Sequence, residues 1–326
     1  MDTQLCLRCL LLLLATAMVV MVTPAEAKPS GRRHSPELAN QIDVGGGGDN
    51  AEPEAGLVFS LMGQVQELSS EVRKLKQRQQ ELMKREFGPS RILDTPVTRL
   101  DGPFPLDCEE ALSRKPRAKS GLYYIKPRGI FESLPVYCDM ETEGGGWTVF
   151  QRRQDGSEDF NRNWDEYSRG FGSLTGEFWL GNEFINALTK QYKYQLRVEL
   201  SGWEGQRLHA EYADFKVEGR RTAYKLRLGQ FLGGNATDAL TYHSGKPFTT
   251  ADSDNDDSSS INCAVVHNGG WWFKSCDRSN LNGLYYHSPR YMYQGDWDDG
   301  IEWKETDGLL PFYSYKATEM KIRKMD

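Results

Sequence analysis

The stretch from Ala251 to Tyr286 contains residue types that can bind a hard cation. Asp252, Asp254, Asp256 and Asp257 lie there among Ser and Asn, with no apolar residue to hold a helix or strand. Carboxylates this close repel one another unless a cation lies between them. Oxygen ligands in a flexible loop suit Ca²⁺, which takes six to eight oxygens. The run therefore predicts a calcium site, and the alternative is a solvated acidic turn.

The spacing of these carboxylates excludes one kind of calcium motif. Asp252, Asp254 and Asp256 match the first three ligand spacings of an EF-hand loop. That loop also needs Gly at its sixth place and Glu at its twelfth. Asp257 and Cys263 occupy those places, so the run is not an EF-hand.

Length and charge narrow the class of protein. The chain has 326 residues and a formal net charge of −6, which allows one large domain or two ordinary ones. The mild acidity argues against a nucleic-acid partner, which calls for a basic face. Nucleophile motifs, zinc motifs and phosphate loops are absent from the sequence, and its five His are far apart. We therefore expect a binding protein and not an enzyme.

The N-terminus predicts secretion to the extracellular space. Residues 1–27 contain an apolar run, Leu10 to Val22, followed by the small-x-small cleavage site Ala25-Glu26-Ala27. The alternative is a type II membrane anchor. The run has only 13 residues, which is short for a hydrocarbon core of about 30 Å. A removable signal peptide is favoured, with no membrane insertion of the mature chain.

The segment after the signal peptide predicts a tether and then a coiled coil. Residues 28–56 are rich in Gly and poor in apolar residues, as in a flexible linker. Residues 57–87 follow a heptad pattern, and Gly88-Pro89 ends it at the start of a second linker, 88–104. The pattern predicts a non-covalent homo-oligomer, and the alternative is a lone amphipathic helix packed on the globular domain. The seam has Val at a and Leu at d, typical of a parallel dimer, and Gln79 is the one exception. The a positions are Val58, Val65, Val72 and Gln79, and the d positions are Leu61, Leu68, Leu75 and Leu82.

Several motifs occur in order through the rest of the chain: Tyr137-Cys138-Asp139-Met140, Gly144-Gly145-Gly146-Trp147, Gly176-Glu177-Phe178-Trp179, Asp254-Asn255-Asp256, Gly270-Trp271-Trp272 and Ser279-Asn280-Leu281-Asn282-Gly283. Together they closely resemble the fibrinogen C-terminal domain. That domain occurs in ficolins, tachylectins, angiopoietins, angiopoietin-like proteins, tenascins and fibrinogen. The resemblance covers residues 105–326. It implies an α+β fold with a twisted, mostly antiparallel sheet and a loop-rich lobe that carries calcium and ligand. Family members often form trimers, so a dimer and a trimer both stay open.

Local patterns agree with that fold. Aromatic and aliphatic segments between Gly-rich turns predict strands, and one segment looks helical. Trp147, Trp179 and Trp272 are expected in the core. The predicted strands are Thr148–Gln151, Tyr194–Leu200 and His209–Val217, and the predicted helix is Asn182–Lys190.

The cysteines are expected to be fully paired. Cleavage of the signal peptide removes Cys6 and Cys9 and leaves four cysteines, an even number that fits a secreted protein. Four cysteines allow three connectivities. The resemblance implies the pairs Cys108–Cys138 and Cys263–Cys276.

The resemblance also implies which residues bind calcium. The family uses two Asp side chains, spaced as Asp254 and Asp256 are here, and two main-chain carbonyls, which fall on Ser258 and Ser260. The loop to Cys263 is one residue longer than the usual pattern, so the carbonyl positions can shift by one. The expected role of the metal is structural.

In the lectin branch of the family, a pocket beside this loop recognises acetyl groups. Main-chain N–H groups around the second cysteine, here Cys276, hold the acyl oxygen, and the peptide before it is cis. The side chains differ here: Asp277 stands where His is usual, His267 where an aromatic is common, and Trp297 where Tyr is common, followed by Asp298. Two carboxylates predict an acidic pocket that favours ammonium or hydroxyl-bearing ligands over anionic sugars. The alternative is a pocket filled by His267 or Arg278.

Two functions fit these features. The first is a secreted multivalent lectin of innate recognition that binds glycans on surfaces. The second is an angiopoietin-like ligand of a cell-surface receptor. The altered pocket counts against a standard acetyl-binding lectin, and the short coiled coil counts against a typical angiopoietin. The sequon Asn235-Ala236-Thr237 predicts a glycosylation site in a surface loop.

Overall fold

The computed structural model describes residues 96–289, 298–304 and 313–325, together with residues 64, 66–68, 70–72 and 74. The predicted signal peptide and the linker 28–56 lie outside the described residues. The described positions within the predicted coiled coil are helical. Leu68 and Val72, two residues of the predicted seam, are exposed in the single chain. The coiled coil itself stays a prediction.

The globular unit is built on a large antiparallel sheet. Among the described residues nine strands join it, in the order β1-β2-β3-β13-β6-β7-β10, with β5 paired to β3 and β4 paired to β5. The last strand of the chain, β13, therefore lies at the centre between β3 and β6. The strands of this sheet are β1 (Gly121–Ile125), β2 (Leu134–Asp139), β3 (Trp147–Arg153), β4 (Phe171–Gly172), β5 (Phe178–Trp179), β6 (Tyr194–Ser201), β7 (Arg207–Tyr212), β10 (Phe231–Gly234) and β13 (Ala317–Lys324).

Short helices and two small ladders complete the described part. The helices are α1 (Cys108–Arg114), α2 (Trp164–Arg169), α3 (Asn182–Thr189) and α4 (Cys263–Val266), with 3₁₀ turns at Thr142–Gly144, Arg220–Thr222 and Thr241–His243. The ladders are β8 (Lys216–Val217) with β9 (Leu226–Arg227), and β11 (Ser279–Asn280) with β12 (Glu302–Trp303). Side-chain caps begin three of the helices: Asp107 for α1, Asn163 for α2 and Asn262 for α4.

The expected strands and helix are confirmed, with one correction. The segment His209–Val217 is not one strand. It leaves β7 at Tyr212, turns at Asp214, whose φ is +49°, and begins β8 at Lys216. The turn carries Phe215 into the core, where its ring stacks on Phe150 at a centroid distance of 5.4 Å. Burial of an aromatic side chain therefore decides against a continuous extended strand.

The globular unit includes part of the predicted second linker. The main-chain N–H of Thr98 donates to the carbonyl of Leu122 over 2.7 Å, and the N–H of Tyr124 donates to Thr98 over 3.2 Å. Thr98 thus adds a bridge to the edge of β1, upstream of Pro105.

Aromatic residues fill the core between the sheet and the lobe. Trp147, Trp179 and Trp272 are fully buried, as expected from the sequence, and so is Trp271. Trp179 lies on β5, and its ring is 6.0 Å from that of Trp272. Trp272 belongs to the loop-rich lobe, the segment from Thr249 to Lys304. This contact joins the sheet to the loops that carry the candidate site.

Candidate calcium and ligand site

The N-terminal part of the candidate calcium loop is held by hydrogen bonds of polar side chains. Asp252 accepts hydrogen bonds from the main-chain N–H of Trp164 at 2.9 Å and from the hydroxyl of Thr250 at 2.7 Å. Asn255 donates from its side-chain amide to the carbonyl of Phe248 at 3.0 Å. Asp252 and Asn255 are therefore used in fixing the loop, which leaves Asp254 and Asp256 as candidate metal ligands.

Asp254 and Asp256 lie side by side. The N–H of Asp256 donates to Oδ1 of Asp254 at 3.2 Å. Burial raises the pKa of Asp256, main-chain N–H donors oppose the shift, and the neighbouring charge of Asp254 adds to it. This is the signature of two carboxylates that a cation would stabilise. Asp257 is not part of the pair, because it forms an ion pair with Lys246.

The donor chemistry of the loop fits Ca²⁺. The two carboxylates are oxygen donors, and Ser258 and Ser260 follow in the same loop. The N–H of Ser258 donates to Oδ1 of Asp256 at 2.7 Å, which fixes its peptide next to the carboxylate pair. Within the described ranges, no three His, Cys, Asp or Glu side chains come together as a metal cluster. A metal here would therefore depend on main-chain carbonyls as well as on the two carboxylates.

The candidate calcium loop is hydrogen-bonded directly to a cysteine of the Cys263–Cys276 disulfide. Oδ2 of Asp256 accepts a hydrogen bond from the N–H of Cys263 at 2.8 Å. Cys263 is bonded to Cys276, and the other bridge is Cys108–Cys138, the two pairs that the resemblance implies. The N–H of Asp257 donates to the carbonyl of Lys274 at 2.8 Å. Two independent links thus connect the candidate metal loop with the segment around Cys276.

The peptide bond between Ser275 and Cys276 is cis. The side chain of Asp277 is only 1% exposed. Nδ1 of His267 is 3.7 Å from Oδ2 of Asp277 and makes a short contact with the carbonyl of Asp298. The structure therefore brings His267, Asp277 and Asp298 together; Trp297 lies outside the described residues.

A lysine that sequence reasoning missed lies among these carboxylates. Nζ of Lys304 is 2.8 Å from Asp277 and 3.1 Å from Asp298, and it also approaches Glu302 at 3.5 Å. Burial opposes its charge, but the attraction of Asp277, Glu302 and Asp298 outweighs burial and raises the pKa of Lys304. The expected acidic pocket thus contains a cation, and Asp277 is not itself open to solvent.

The position of Lys304 follows from the small ladder of β11 with β12. Ser279 pairs with Trp303, and the N–H of Lys304 then donates to the carbonyl of Arg278 at 2.8 Å. This pairing of two-residue strands places Lys304 beside Asp277. A two-residue strand has no periodic signal, so the sequence offered no route to this contact.

His243 is a second residue that the sequence analysis did not connect with the site. It is fully buried, and its Nδ1 lies 2.8 Å from the carbonyl of Trp272. Its Nε2 accepts hydrogen bonds from the N–H groups of Arg278 at 3.1 Å and Ser279 at 3.2 Å. Burial lowers the pKa of His243 to about 4, so the ring is neutral and can accept both bonds. His243 therefore fixes the segment that follows Cys276.

The predicted glycosylation residue, Asn235, directly follows the edge strand β10, and the carbonyl of Thr237 in the same sequon accepts from the indole N–H of Trp303 at 2.8 Å. Asn235 is exposed, yet its side chain accepts from the N–H of His209 at 2.7 Å and donates to the carbonyl of Arg207 at 3.0 Å. The sequon is on the surface, and its amide already bridges to β7.

The helices in the part of the chain that the structure describes are all too short or too polar to cross a bilayer.

Comparison with known proteins agrees with this architecture. The family model for the C-terminal globular domain of fibrinogen beta and gamma chains matches residues 104–325. The chain is 47% identical to human ficolin-3 over 219 residues, which cover 67% of this chain and 70% of ficolin-3.

Solved structures give the same result. The fibrinogen-like globe domain of human ANGPTL2 matches with a TM-score of 0.64 and 44% identity, covering 68% of this chain and 99% of that one. Lamprey fibrin D-dimer, in complex with the peptide Gly-His-Arg-Pro-amide, matches with a TM-score of 0.64 and 34% identity, covering 83% and 92%. The chain therefore belongs to the family of fibrinogen C-terminal globular domains.

Proposed function

We propose that this protein is a secreted, calcium-binding, non-enzymatic recognition protein that binds glycans on surfaces as a multivalent lectin. One observation carries the proposal: the carboxylate of Asp256 holds the N–H of Cys263, so the candidate calcium loop and the Cys263–Cys276 segment form one unit. A metal that orders Asp254 and Asp256 would also order the pocket beside Cys276. The 47% identity to ficolin-3 supports the same assignment.

The residues that would hold the metal are Asp254 and Asp256 through their carboxylates, and Ser258 and Ser260 through their carbonyls. Bound Ca²⁺ would supply positive charge that removes the repulsion between the two carboxylates. The protein supplies the rest, because Asp252 and Asn255 hold the loop in place.

The pocket chemistry favours neutral, hydroxyl-bearing ligands. Lys304 lies among Asp277, Asp298 and Glu302, so an anionic ligand meets no uncompensated positive charge there. A sugar hydroxyl or acetamido group exchanges hydrogen bonds without adding charge. The partially exposed groups of this cluster are Lys304 and Asp298, with side-chain exposures of 37% and 24%. These two, with His267, Cys276, Asp277 and Trp297, are the proposed ligand-binding residues.

Useful affinity would come from several copies of the domain. Linked sites that engage one surface together can gain about 10²–10⁴ in avidity. The predicted coiled coil of residues 57–87 would supply the copies, and the linkers 28–56 and 88–104 the reach.

The test is a glycan array followed by surface-binding titrations, each with calcium and with EDTA. In the presence of calcium, full-length protein should bind a glycosylated surface, whereas a domain beginning at Pro96 should bind poorly. The full-length variant Leu68→Asp places a charge in the seam and should bind as poorly as that domain. Trp297→Ala should weaken binding of both lengths, and Asp277→His should shift selectivity towards acetylated sugars. Equal binding by the full chain and the domain, with no effect of Trp297→Ala, would refute the lectin proposal.

A second candidate function is an angiopoietin-like receptor ligand. The side chains of His267 and Asp277 are nearly inaccessible, at 5% and 1% exposure, which argues against their direct contact with a sugar. The matches to the ANGPTL2 and ANGPTL6 globe domains, at 44% and 40% identity, point the same way. Saturable binding to cells from which surface glycans have been enzymatically removed would favour this function over the first.

A further inference from the structure

A short hairpin on the surface carries an unusual excess of positive charge. The basic hairpin, defined as residues 216–227, has five basic residues and one acidic residue, Glu218. The whole chain has 40 Lys and Arg against 46 Asp and Glu, so this segment runs against the overall charge. Its basic residues are Lys216, Arg220, Arg221, Lys225 and Arg227.

The ladder of the basic hairpin separates its apolar side from its charged side. Lys216 pairs with Arg227, and Val217 pairs with Leu226. Val217 and Leu226 are fully buried, while Lys216 and Arg227 are exposed. Because successive residues of a strand point to opposite faces, the two cations lie next to each other on the outer face.

The far end of the basic hairpin is fastened to the core by Tyr224. Both Ala223 and Tyr224 have positive φ, +50° and +49°, a conformation that non-glycine residues rarely adopt. The turn inserts the ring of Tyr224 into the core, where its hydroxyl donates to Glu183 at 2.6 Å and its carbonyl accepts from the indole of Trp272 at 2.8 Å. The exposed Arg220 and Arg221 therefore project from a fixed backbone.

Only two of the five cations have a carboxylate partner in the part of the chain that the structure describes. Arg220 is 3.2 Å from Asp165, and Arg227 is 2.7 Å from Glu218. No ion pair within 4.0 Å joins Lys216, Arg221 or Lys225 to a described carboxylate. Lys225 has a longer-range attraction to Glu218. An anionic ligand would supply the ion-pair partner that these three positions lack among the described residues.

We propose that the basic hairpin binds sulfated glycosaminoglycans. A row of lysines and arginines on a fixed backbone matches the repeated sulfates of a linear polysaccharide, and guanidinium groups pair well with such oxyanions. The two disulfides place the chain in an oxidising, extracellular environment, where sulfated polysaccharides are the abundant polyanions. The ion pairs of this surface go to Asp165 and Glu218 and not to the carboxylates around Lys304 in the proposed ligand pocket.

The composition of the patch argues against a lipid bilayer as its partner. Membrane-surface binding usually combines basic residues with apolar side chains that insert between lipids. The exposed large apolar residues of the described chain lie elsewhere: Leu68, Val72, Phe131, Leu232, Val265 and Leu284.

The test is binding of full-length protein to immobilised heparin over a series of NaCl concentrations. The variant Lys216→Gln, Arg221→Gln, Lys225→Gln removes the three cations without an ion-pair partner and should weaken binding at least tenfold. Since a linear polyanion releases counterions on binding, the slope of log K against log salt should also fall, by about one for each lost contact. The control Lys115→Gln, Lys119→Gln, Lys126→Gln removes the same charge from exposed positions around β1 and should change binding less than twofold.

Further binding measurements distinguish heparin binding at the basic hairpin from ligand binding at the proposed pocket. Binding should persist in EDTA and in Asp254→Ala, Asp256→Ala, and it should be lost on heparin that has been desulfated and N-acetylated. The proposal is overturned if wild-type protein does not bind heparin at physiological salt, or if the hairpin triple variant binds as well as wild type with an unchanged melting temperature. Preferential binding to phosphatidylserine vesicles or to DNA at the same salt would overturn it as well.

Discussion

The sheet and the ligand lobe hold their backbones in different ways. In the sheet, β13 pairs along most of its length with both β3 and β6, so repeated main-chain hydrogen bonds define the structure. In the lobe, the segment from Thr249 to Lys304 has one four-residue helix and two-residue strands among its described residues. There the backbone is held by a disulfide and by side chains such as Asp252, Asn255 and His243.

Two buried charged side chains, one from each region, differ in how fully they are paired. Lys321 of the sheet is 1% exposed and is surrounded by Asp139 at 2.7 Å, Glu199 at 3.0 Å and Glu319 at 3.2 Å. Asp277 of the lobe is equally buried, yet its Oδ2 has no hydrogen-bond donor among the described residues. A fully satisfied network serves stability, whereas a carboxylate with spare capacity can respond to a ligand. The lobe is therefore the part where function should change without loss of the fold.

The largest effect is expected from the buried lysine of the sheet. Lys321→Met should lower the free energy of unfolding by about 3–5 kcal/mol, because it leaves the buried carboxylate of Asp139 without its cation. Burial alone would raise the pKa of Asp139, but hydrogen bonds from Lys321, Thr142 and two main-chain N–H groups lower it, and the variant should lose most of that shift. Urea denaturation measures the stability.

The control is Lys324→Met on the same strand. Its side chain is 40% exposed and lies 3.9 Å from Glu109, so a loss below about 1 kcal/mol is expected. Equal losses in the two variants would mean that the buried network does not set the stability of the sheet.

The two disulfides allow a direct comparison of the regions. Replacement of either pair by Ala should cost about 3–4 kcal/mol by the loop-entropy model, with sequence separations of 13 residues for Cys263–Cys276 and 30 for Cys108–Cys138. Only the loss of Cys263–Cys276 should also remove the effect of calcium on the melting temperature. A calcium effect that survives in that variant would show that the loop does not act through the bridge.

Calcium should stabilise the lobe through Asp254 and Asp256. A ligand that binds only the native state adds about 2.7 kcal/mol when its concentration is 100 times its Kd. Differential scanning calorimetry in Ca²⁺ and in EDTA measures the change in melting temperature. Asp254→Ala, Asp256→Ala should abolish the difference, while Asp257→Ala should keep it, because that carboxylate pairs with Lys246. A retained difference in the first variant would place the metal elsewhere.

The smallest of these effects concerns His243 and acid. Its pKa is lowered from 6.5 in the unfolded chain to about 4 in the folded one. The unfolded state therefore binds more protons between these values, and stability is lost as the pH falls from 6.5 towards 4. At pH 5 the loss is about 2 kcal/mol relative to pH 7.

The variant His243→Gln keeps an acceptor but cannot titrate in this range. Its stability at pH 7 should be lower, since it cannot satisfy the N–H groups of Arg278 and Ser279 as the ring does. Its further loss between pH 7 and pH 5 should be about 2 kcal/mol smaller than that of wild type. Parallel pH profiles of the two proteins would show that another group causes the acid sensitivity.

Much of the molecule could be predicted from the sequence because its signals are local or come as whole motifs. Aromatic and aliphatic segments between Gly-rich turns located β3 and β6, and Trp147, Trp179 and Trp272 indicated the core. Motifs such as Tyr137-Cys138-Asp139-Met140 carried the resemblance to the family, and the fold followed from it. The paired Asp254 and Asp256 also stood out locally, because closely spaced carboxylates in a polar loop suit a hard cation, and calcium binding there stays a prediction.

The tertiary structure decided what depends on contacts between distant segments. Asp277 and Lys304 are 27 residues apart, and only the pairing of β11 with β12 brings their side chains to 2.8 Å. His243 reaches Arg278 and Ser279 across 35 and 36 residues. The charge of the pocket therefore could not be obtained from its two carboxylates alone. Electrostatic character depends on the whole three-dimensional neighbourhood of a group, whereas strand periodicity depends only on adjacent residues.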